Sequence, residues 1–182
     1  WNKIVSNLGI SKDDQIIIYD NSNVISSCRC WYNFIYFGHD PKLVSVLDGG
    51  LRKWKQENKK ISKEVIKFTK TNYEGEELIS LVKDKNNIDL NISEKEFVVV
   101  DARSKERFEG KVPDPRKNVR SGSIPNSICL PFVEVINKDF SFKNEEELKS
   151  LFNNTLKNTI DNPVFSCGSG VTACVLALAY SL

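Results

Sequence analysis

Methionine is absent from the 182 residues, and histidine occurs once, at His39. One imidazole leaves little for a zinc site, and Cys28-x-Cys30 has the wrong spacing to supply one, so no metal is expected. Long apolar runs are missing too. None approaches the roughly 20 residues of a membrane span, and the first residues do not have the pattern of a secretory leader, so no membrane association is expected. Neither sign of charge is in excess: Lys and Arg number 26 against 24 Asp and Glu, a net +2. No basic block is dense enough to suggest nucleic acid as a partner. The five cysteines are odd in number and lack a paired-framework spacing. That fits reduced thiols in a cytosolic setting better than a disulfide scaffold. What remains, 40% hydrophobic and 27% charged, is ordinary for a soluble globular protein. The chain begins at Trp1 and stops at Leu182 inside an apolar helical pattern. It is therefore expected to be an excerpt of a longer protein, cut at both ends.

Against these absences one stretch stands out, Val164-Phe165-Ser166-Cys167-Gly168-Ser169-Gly170-Val171-Thr172-Ala173-Cys174. An apolar run stops at a cysteine, passes two glycines and becomes the helical pattern Ala173 to Ala179. The order predicts a buried strand, a tight loop and a helix. Glycines allow backbone N–H groups to turn inward, and a helix N-terminus adds partial positive charge. A cysteine at the mouth of such a cradle is expected to be held as a thiolate and to act as a nucleophile. A phosphate-binding loop would need a Lys-Ser/Thr pair opening the helix, and Val171-Thr172 supplies no lysine. A cysteine phosphatase would need an arginine where Ala173 stands.

Along the rest of the chain, apolar runs alternate with helical patterns. Asn2 to Gly9 reads as a helical remnant with Gly9 as C-cap, and Ile16 to Tyr19 as a strand buried on both faces, ending at Asp20. A helical pattern rich in aromatics runs from about Ser26 to Phe37, a second strand covers Leu43 to Leu47, and a helix follows from Leu51. Strand and helix in alternation imply βαβ units and a parallel sheet. The Lys- and Thr-rich stretch to Tyr73 reads as a linker, Glu76 to Lys83 as a short helix, and Lys83 to Asn91 as a polar loop. Glu96 to Val100 predicts a strand ending at Asp101, which can bond turn amides or pair with Arg103. Asn144 with Glu147 marks a helix entry. Arg107 and Arg116, the latter in the proline-stiffened Pro113-Asp114-Pro115-Arg116, are suited to a planar oxyanion if one cleft holds both. The pattern alone leaves surface salt bridges equally open for them. His39 reads as a turn residue, Cys28, Cys30 and Cys129 as packing, and Cys174 as packing with a resolving-thiol role as the alternative.

Cys167-Gly168-Ser169-Gly170-Val171-Thr172-Ala173 resembles the active loop of the two-domain rhodanese family, in the form carried by its 3-mercaptopyruvate sulfurtransferases. Thiosulfate sulfurtransferases of the family typically carry two cations in this loop, as Cys-Arg-Lys-Gly-Val-Thr. Asp101-Ala102-Arg103-Ser104 with Arg107-Phe108, and Pro113-x-Pro115-Arg116, resemble the mercaptopyruvate-binding segment, whose substrate arginines fall at Arg107 and Arg116. Arg29-x-Trp31-Tyr32, Phe37-Gly38-His39 and Leu47-Asp48-Gly49-Gly50 are similar to the second half of the family's N-terminal domain. Gly122-Ser123-Ile124-Pro125-Asn126 follows a family run, with Ser123 for the customary histidine and Asn126 for a glycine.

The resemblance implies an α/β fold of tandem rhodanese-like domains, each a parallel sheet flanked by helices. Residues 1–60 would be the second half of an inactive N-terminal domain, 61–73 a linker, and 74–182 the catalytic domain lacking its last elements. Asp20 stands in the first repeat where Cys167 stands in the second. The implied activity moves sulfur from 3-mercaptopyruvate, through a persulfide on Cys167, to a thiol acceptor such as thioredoxin or to cyanide, releasing pyruvate. No cofactor beyond that persulfide is implied. Gly168, Gly170, Val171 and Thr172 would cradle the transferred sulfur, and Ser169 would bond the substrate or relay a proton. In the family Ser169 is proposed to work with a histidine and an aspartate for which this chain has no match. Thiosulfate as donor, or a non-catalytic partner-binding module, are the alternatives. A cytoplasmic setting is expected, or a mitochondrial one.

Overall fold

The apolar runs become short parallel strands, because each is followed by a helix that must cross back over the sheet. The computed structural model describes residues 1–157 and 162–182. In the first repeat α1 (Asn2–Asn7) precedes β1 (Ile16–Ile18), α2 (Ser27–Tyr36), β2 (Val44–Val46) and α3 (Gly50–Gln56). In the second, α4 (Lys85–Glu94) leads into β3 (Val98–Asp101), α5 (Lys105–Phe108), β4 (Ile128–Cys129), α6 (Glu145–Leu156), β5 (Pro163–Ser166) and α7 (Val171–Ser181). β1 pairs in parallel with β2, Ile16 opposite Val44. The second sheet has the order β4-β3-β5, all parallel, with Val98 opposite Pro163 and Val100 opposite Ile128.

The first repeat packs a small core of Val5, Ile16, Phe34, Val44 and Tyr73. Strand alternation turns the neighbours of Ile16 the other way. Ile17 and Tyr19 are exposed, so the expected burial of both faces of this strand does not hold among the described residues. The larger core spans both repeats. α7 is apolar on nearly every side, the pattern of a helix enclosed by protein, and it buries Ala173, Cys174, Val175, Leu176, Leu178 and Ala179. Its Val175 and Leu176 join Val100, Leu130 and Leu148 of the second repeat and Ile25 and Cys28 of the first. The two repeats therefore meet along α2 and α7, the helices that leave the two corresponding loops.

Two expectations change between Glu76 and Glu94. The helix predicted over Glu76 to Lys83 is a 3-10 turn at Ile79–Leu81 within an extended strap, and the predicted polar loop holds α4. The strap is extended because its backbone bonds to the first repeat: Glu76 N–H donates to the Phe37 carbonyl at 3.2 Å and Leu78 N–H to that of Tyr36 at 2.8 Å. α4 forms despite its asparagines because Asp84 and Asn87 make a reciprocal capping box, and Asn91 bonds both backbone groups of Phe97. The stretch read as a linker, 61–73, has no regular structure, and its last residue Tyr73 is buried in the first core. There it bonds His39 Nδ1 at 3.1 Å, while His39 Nε2 meets the Asp14 carbonyl at 3.0 Å. His39 keeps the helix-end duty expected of it, its N–H donating to the Phe34 carbonyl at 2.9 Å beside the left-handed Gly38, while its ring is buried with both nitrogens bonded.

Local details follow the sequence more closely. Gly9 takes φ 72° just past α1. Asn126, where a glycine is customary, takes φ 64°, a conformation asparagine tolerates better than most residues. The Asn144–Glu147 capping box opens α6, with Leu148 and Phe152 buried beneath it. Asn144→Ala should lower stability by about 1 kcal/mol, the usual worth of such a cap. Urea unfolding would show this as a lower midpoint with an unchanged m-value.

Candidate active site

β5 ends at Ser166, whose carbonyl accepts from Ala102 N–H at 2.8 Å. The end of β3 thus fixes where the loop departs. Gly170, at φ 77°, is the N-cap of α7, and its left-handed turn points its N–H at Cys167 Sγ, 3.1 Å away. Burial by itself would raise the Cys167 thiol. The Thr172 hydroxyl and the N–H groups of Ala173, Ser169 and Gly170 outweigh that and bring it below the ordinary thiol value. Cys167 is the only one of the five cysteines moved in this direction. Burial pushes Cys28, Cys30 and Cys129 up, and Cys174 up to about 11. Cys174 stays a thiol and donates to the Gly170 carbonyl at 3.0 Å, bracing the turn from within α7.

Two arginines converge on this loop. Ser104 caps α5, which carries Arg107, and the chain returns through the Pro-Asp-Pro-Arg segment to Arg116. A Cβ built on Gly168 would lie 3.2 Å from Arg107 Nη2 and 3.5 Å from Arg116 Nη2. Both guanidinium groups thus lie within contact distance of the loop at Gly168. Arg116 Nη1 donates to the Gly168 carbonyl. Arg107 Nε is buried with no hydrogen-bond partner among the described residues, a donor that an incoming anion would satisfy. Arg103 is excluded from this group: Asp101 accepts from its backbone N–H at 2.9 Å and from its guanidinium at 2.6–3.0 Å, as the turn pattern predicted. Ser169 is exposed beside Cys167. His39, in the first core, is bonded to Tyr73 and Asp14.

Two residues given no role by the sequence belong to this geometry. Asp114 lies between the arginines with its side chain 1% exposed, 2.7 Å from Arg107 Nη2 and 2.9 Å from Arg116 Nε. Its position between two prolines and two arginines was the available signal. Arg29, on α2 of the first repeat, donates from Nη1 to the Gly170 carbonyl at 3.4 Å. Nothing near Arg29 in the sequence points 141 positions ahead.

The donors around Sγ can be tested one at a time. Thr172→Val removes the side-chain donor to Cys167, so the thiolate loses support and its pKa should rise toward the ordinary thiol range. The pH profile of Cys167 alkylation by iodoacetamide should shift to higher pH by a measurable fraction of a unit, with the plateau rate retained.

A family model described as "Rhodanese-like domain" matches residues 1–57. Over 173 residues the chain is 37% identical to the 3-mercaptopyruvate sulfurtransferase of Mus musculus, covering 94% of this chain and 58% of the relative. The thiosulfate sulfurtransferase of the same organism is 34% identical over 178 residues, covering 96% and 59%. Among solved structures, SseA of Escherichia coli, titled for the rhodanese fold of 3-mercaptopyruvate sulfotransferases, superposes with a TM-score of 0.84 at 28% identity, covering 99% of this chain and 66% of that one. The chain thus spans between half and three-fifths of the length of the curated relatives it matches. With parallel sheets in two repeats, a rhodanese-like domain matched at residues 1–57 and sequence likeness running almost end to end, the chain is similar to the 3-mercaptopyruvate sulfurtransferases of the rhodanese fold.

Proposed function

We propose that the protein is a sulfurtransferase that takes sulfur from 3-mercaptopyruvate onto Cys167 and passes it to a thiol, such as thioredoxin, or to cyanide. The observation that carries this reading is the approach of two guanidinium groups to Gly168, next to the one cysteine whose thiolate is favoured. A keto acid offers a planar carboxylate and an adjacent carbonyl, which two forked cations can grip together. Residues 74–182 supply the catalytic domain in this reading, and 1–60 part of its inactive partner.

Arg107 and Arg116 hold the donor's carboxylate and carbonyl so that its sulfur faces Cys167 Sγ. The thiolate attacks that sulfur and an S–S bond forms. The C–S bond breaks, and its electron pair leaves with carbon as the enolate of pyruvate, stabilised by the arginine on the carbonyl oxygen. The enolate gains a proton, delivered by way of Ser169, and pyruvate departs. Cys167 is left as a persulfide, with Gly168, Gly170, Val171 and Thr172 lining the cradle for the outer sulfur. An acceptor thiolate then attacks the outer sulfur, and Cys167 returns as thiolate. Splitting the transfer in two predicts ping-pong kinetics. The persulfide itself carries the sulfur, so the reaction draws on no other cofactor. The loop's Gly168-Ser169 pair brings no cation of its own, which weighs against dianionic thiosulfate as the preferred donor.

Intact-protein mass spectrometry after incubation with mercaptopyruvate should show a gain of one sulfur, about 32 Da, on Cys167. Cys167→Ser should show none. No adduct on folded protein would favour a partner-binding module, and an equal or greater kcat/KM with thiosulfate would reassign the donor. Arg116→Lys keeps the charge but loses the fork, and should lower kcat/KM for mercaptopyruvate roughly 10- to 100-fold, the worth of a charge-assisted hydrogen bond or two.

A further inference from the structure

The carboxylate buried between the two arginines has a consequence for which anions the site accepts. Asp114 is nearly enclosed and bonds both cations at once: Arg107 Nη2 at 2.7 Å, and Arg116 Nε and Nη2 at 2.9 and 3.1 Å. It also accepts from the Arg116 backbone N–H at 3.0 Å, which ties its own loop together. The Arg116 side chain and amide, then Arg107, hold the Asp114 carboxyl well below the usual carboxylate range, so it is an anion throughout the working pH range. Two guanidinium charges are thereby reduced to a single net positive charge at the donor site. Arg103, whose charge is also felt near Asp114, is spent on Asp101.

Resting on the sulfurtransferase reading above, we propose that Asp114 is a specificity-determining residue: it positions Arg107 and Arg116 and trims their charge to fit a monoanionic donor over a dianionic one. A monoanionic keto acid balances the net charge of Arg107, Arg116 and Asp114 and leaves only that of the Cys167 thiolate. A dianion leaves an uncompensated negative charge in a site already holding the Cys167 thiolate, whose field reaches Arg116. Like charges at such distances are costly where water is partly excluded. Discrimination of this kind comes from an unfavourable element built against the wrong ligand, beside the attractive fork for the right one.

The test compares Asp114→Asn with Asp114→Glu in the full-length protein, using mercaptopyruvate and thiosulfate as donors and cyanide as acceptor. The asparagine removes the charge at nearly constant shape; the glutamate keeps the charge and disturbs the spacing. The ratio of kcat/KM for thiosulfate to that for mercaptopyruvate should rise about tenfold or more in Asp114→Asn and change little in Asp114→Glu. The thiosulfate rate of Asp114→Asn should also fall more steeply with added salt than that of the wild type. An unchanged ratio in Asp114→Asn, or an equal change in both variants, would overturn the proposal. If Asp114→Asn fails to fold, the wild type still decides: pyruvate should protect Cys167 from alkylation at lower concentration than sulfate does, and equal or better protection by sulfate refutes the charge match. Wild-type persulfide formation from mercaptopyruvate is run alongside. Its absence would refute the function itself, whereas its presence with an unmoved ratio refutes only the role of Asp114.

Discussion

The left-handed turn at Gly170 is the constraint on which the site depends. At φ 77° it brings its own N–H to the Cys167 sulfur and starts α7 behind it, so that the amides of Ser169, Gly170 and Ala173 all act on one atom. A side chain there would be strained by the backbone and would run into Arg29 Nη1. Burial opposes the anion, and dipoles aligned by the chain's own geometry overcome it. The rest of the second repeat serves that turn. β3 fixes the start of the loop, Cys174 holds its carbonyl, and the packed length of α7 keeps the helix end in place.

The first repeat shows the same construction with a different anion. β1 leads to Asp20, a serine-rich loop and α2, as β5 leads to Cys167, a glycine-rich loop and α7. The Asp20 carboxylate accepts from the hydroxyls of Ser22 and Ser26 at 2.9 and 2.6 Å and from Ser27 N–H at 2.8 Å. The first loop thus spends its donors on the chain's own carboxylate, one of them the first amide of α2. The two loops share a construction and differ in the group they cradle, a carboxylate in the first and a cysteine sulfur in the second.

Much of this was legible in the residues because the signals were local. The strand, cysteine, glycines and helix at Val164 to Cys174 fall within one short stretch, and the Asn144–Glu147 cap needs only three residues of spacing. The misread elements were those whose conformation is set from a distance. Glu76 to Lys83 has helix-compatible apolar residues, yet backbone bonds to Tyr36 and Phe37 draw it out into a strap. The Asn-rich stretch before β3 has weak helix propensity, and it is the capping box and the bonds of Asn91 that make it helical. Arg107 and Arg116 were visible as a pair of cations with an ambiguous fate. The structure pairs both with Asp114 beside Gly168, a two-sided contact that depends on a chain reversal no periodicity encodes.

Arg29 extends this lesson to the interface between the repeats. It begins on a helix of the first repeat and ends on the carbonyl of the residue that aims its N–H at the Cys167 sulfur. The Gly170 carbonyl lies in the peptide plane that follows the Gly170 amide, the two planes joined by that residue's own φ and ψ, so the cation on this oxygen touches the far side of the same left-handed turn. The same guanidinium lowers the Cys174 thiol against the upward push of burial, and Cys174 donates to that same carbonyl. One backbone oxygen is thus held from both repeats, by Arg29 of one and Cys174 of the other. The first repeat is thereby part of the candidate site, since the shape of the Cys167 loop is fixed partly from across the interface.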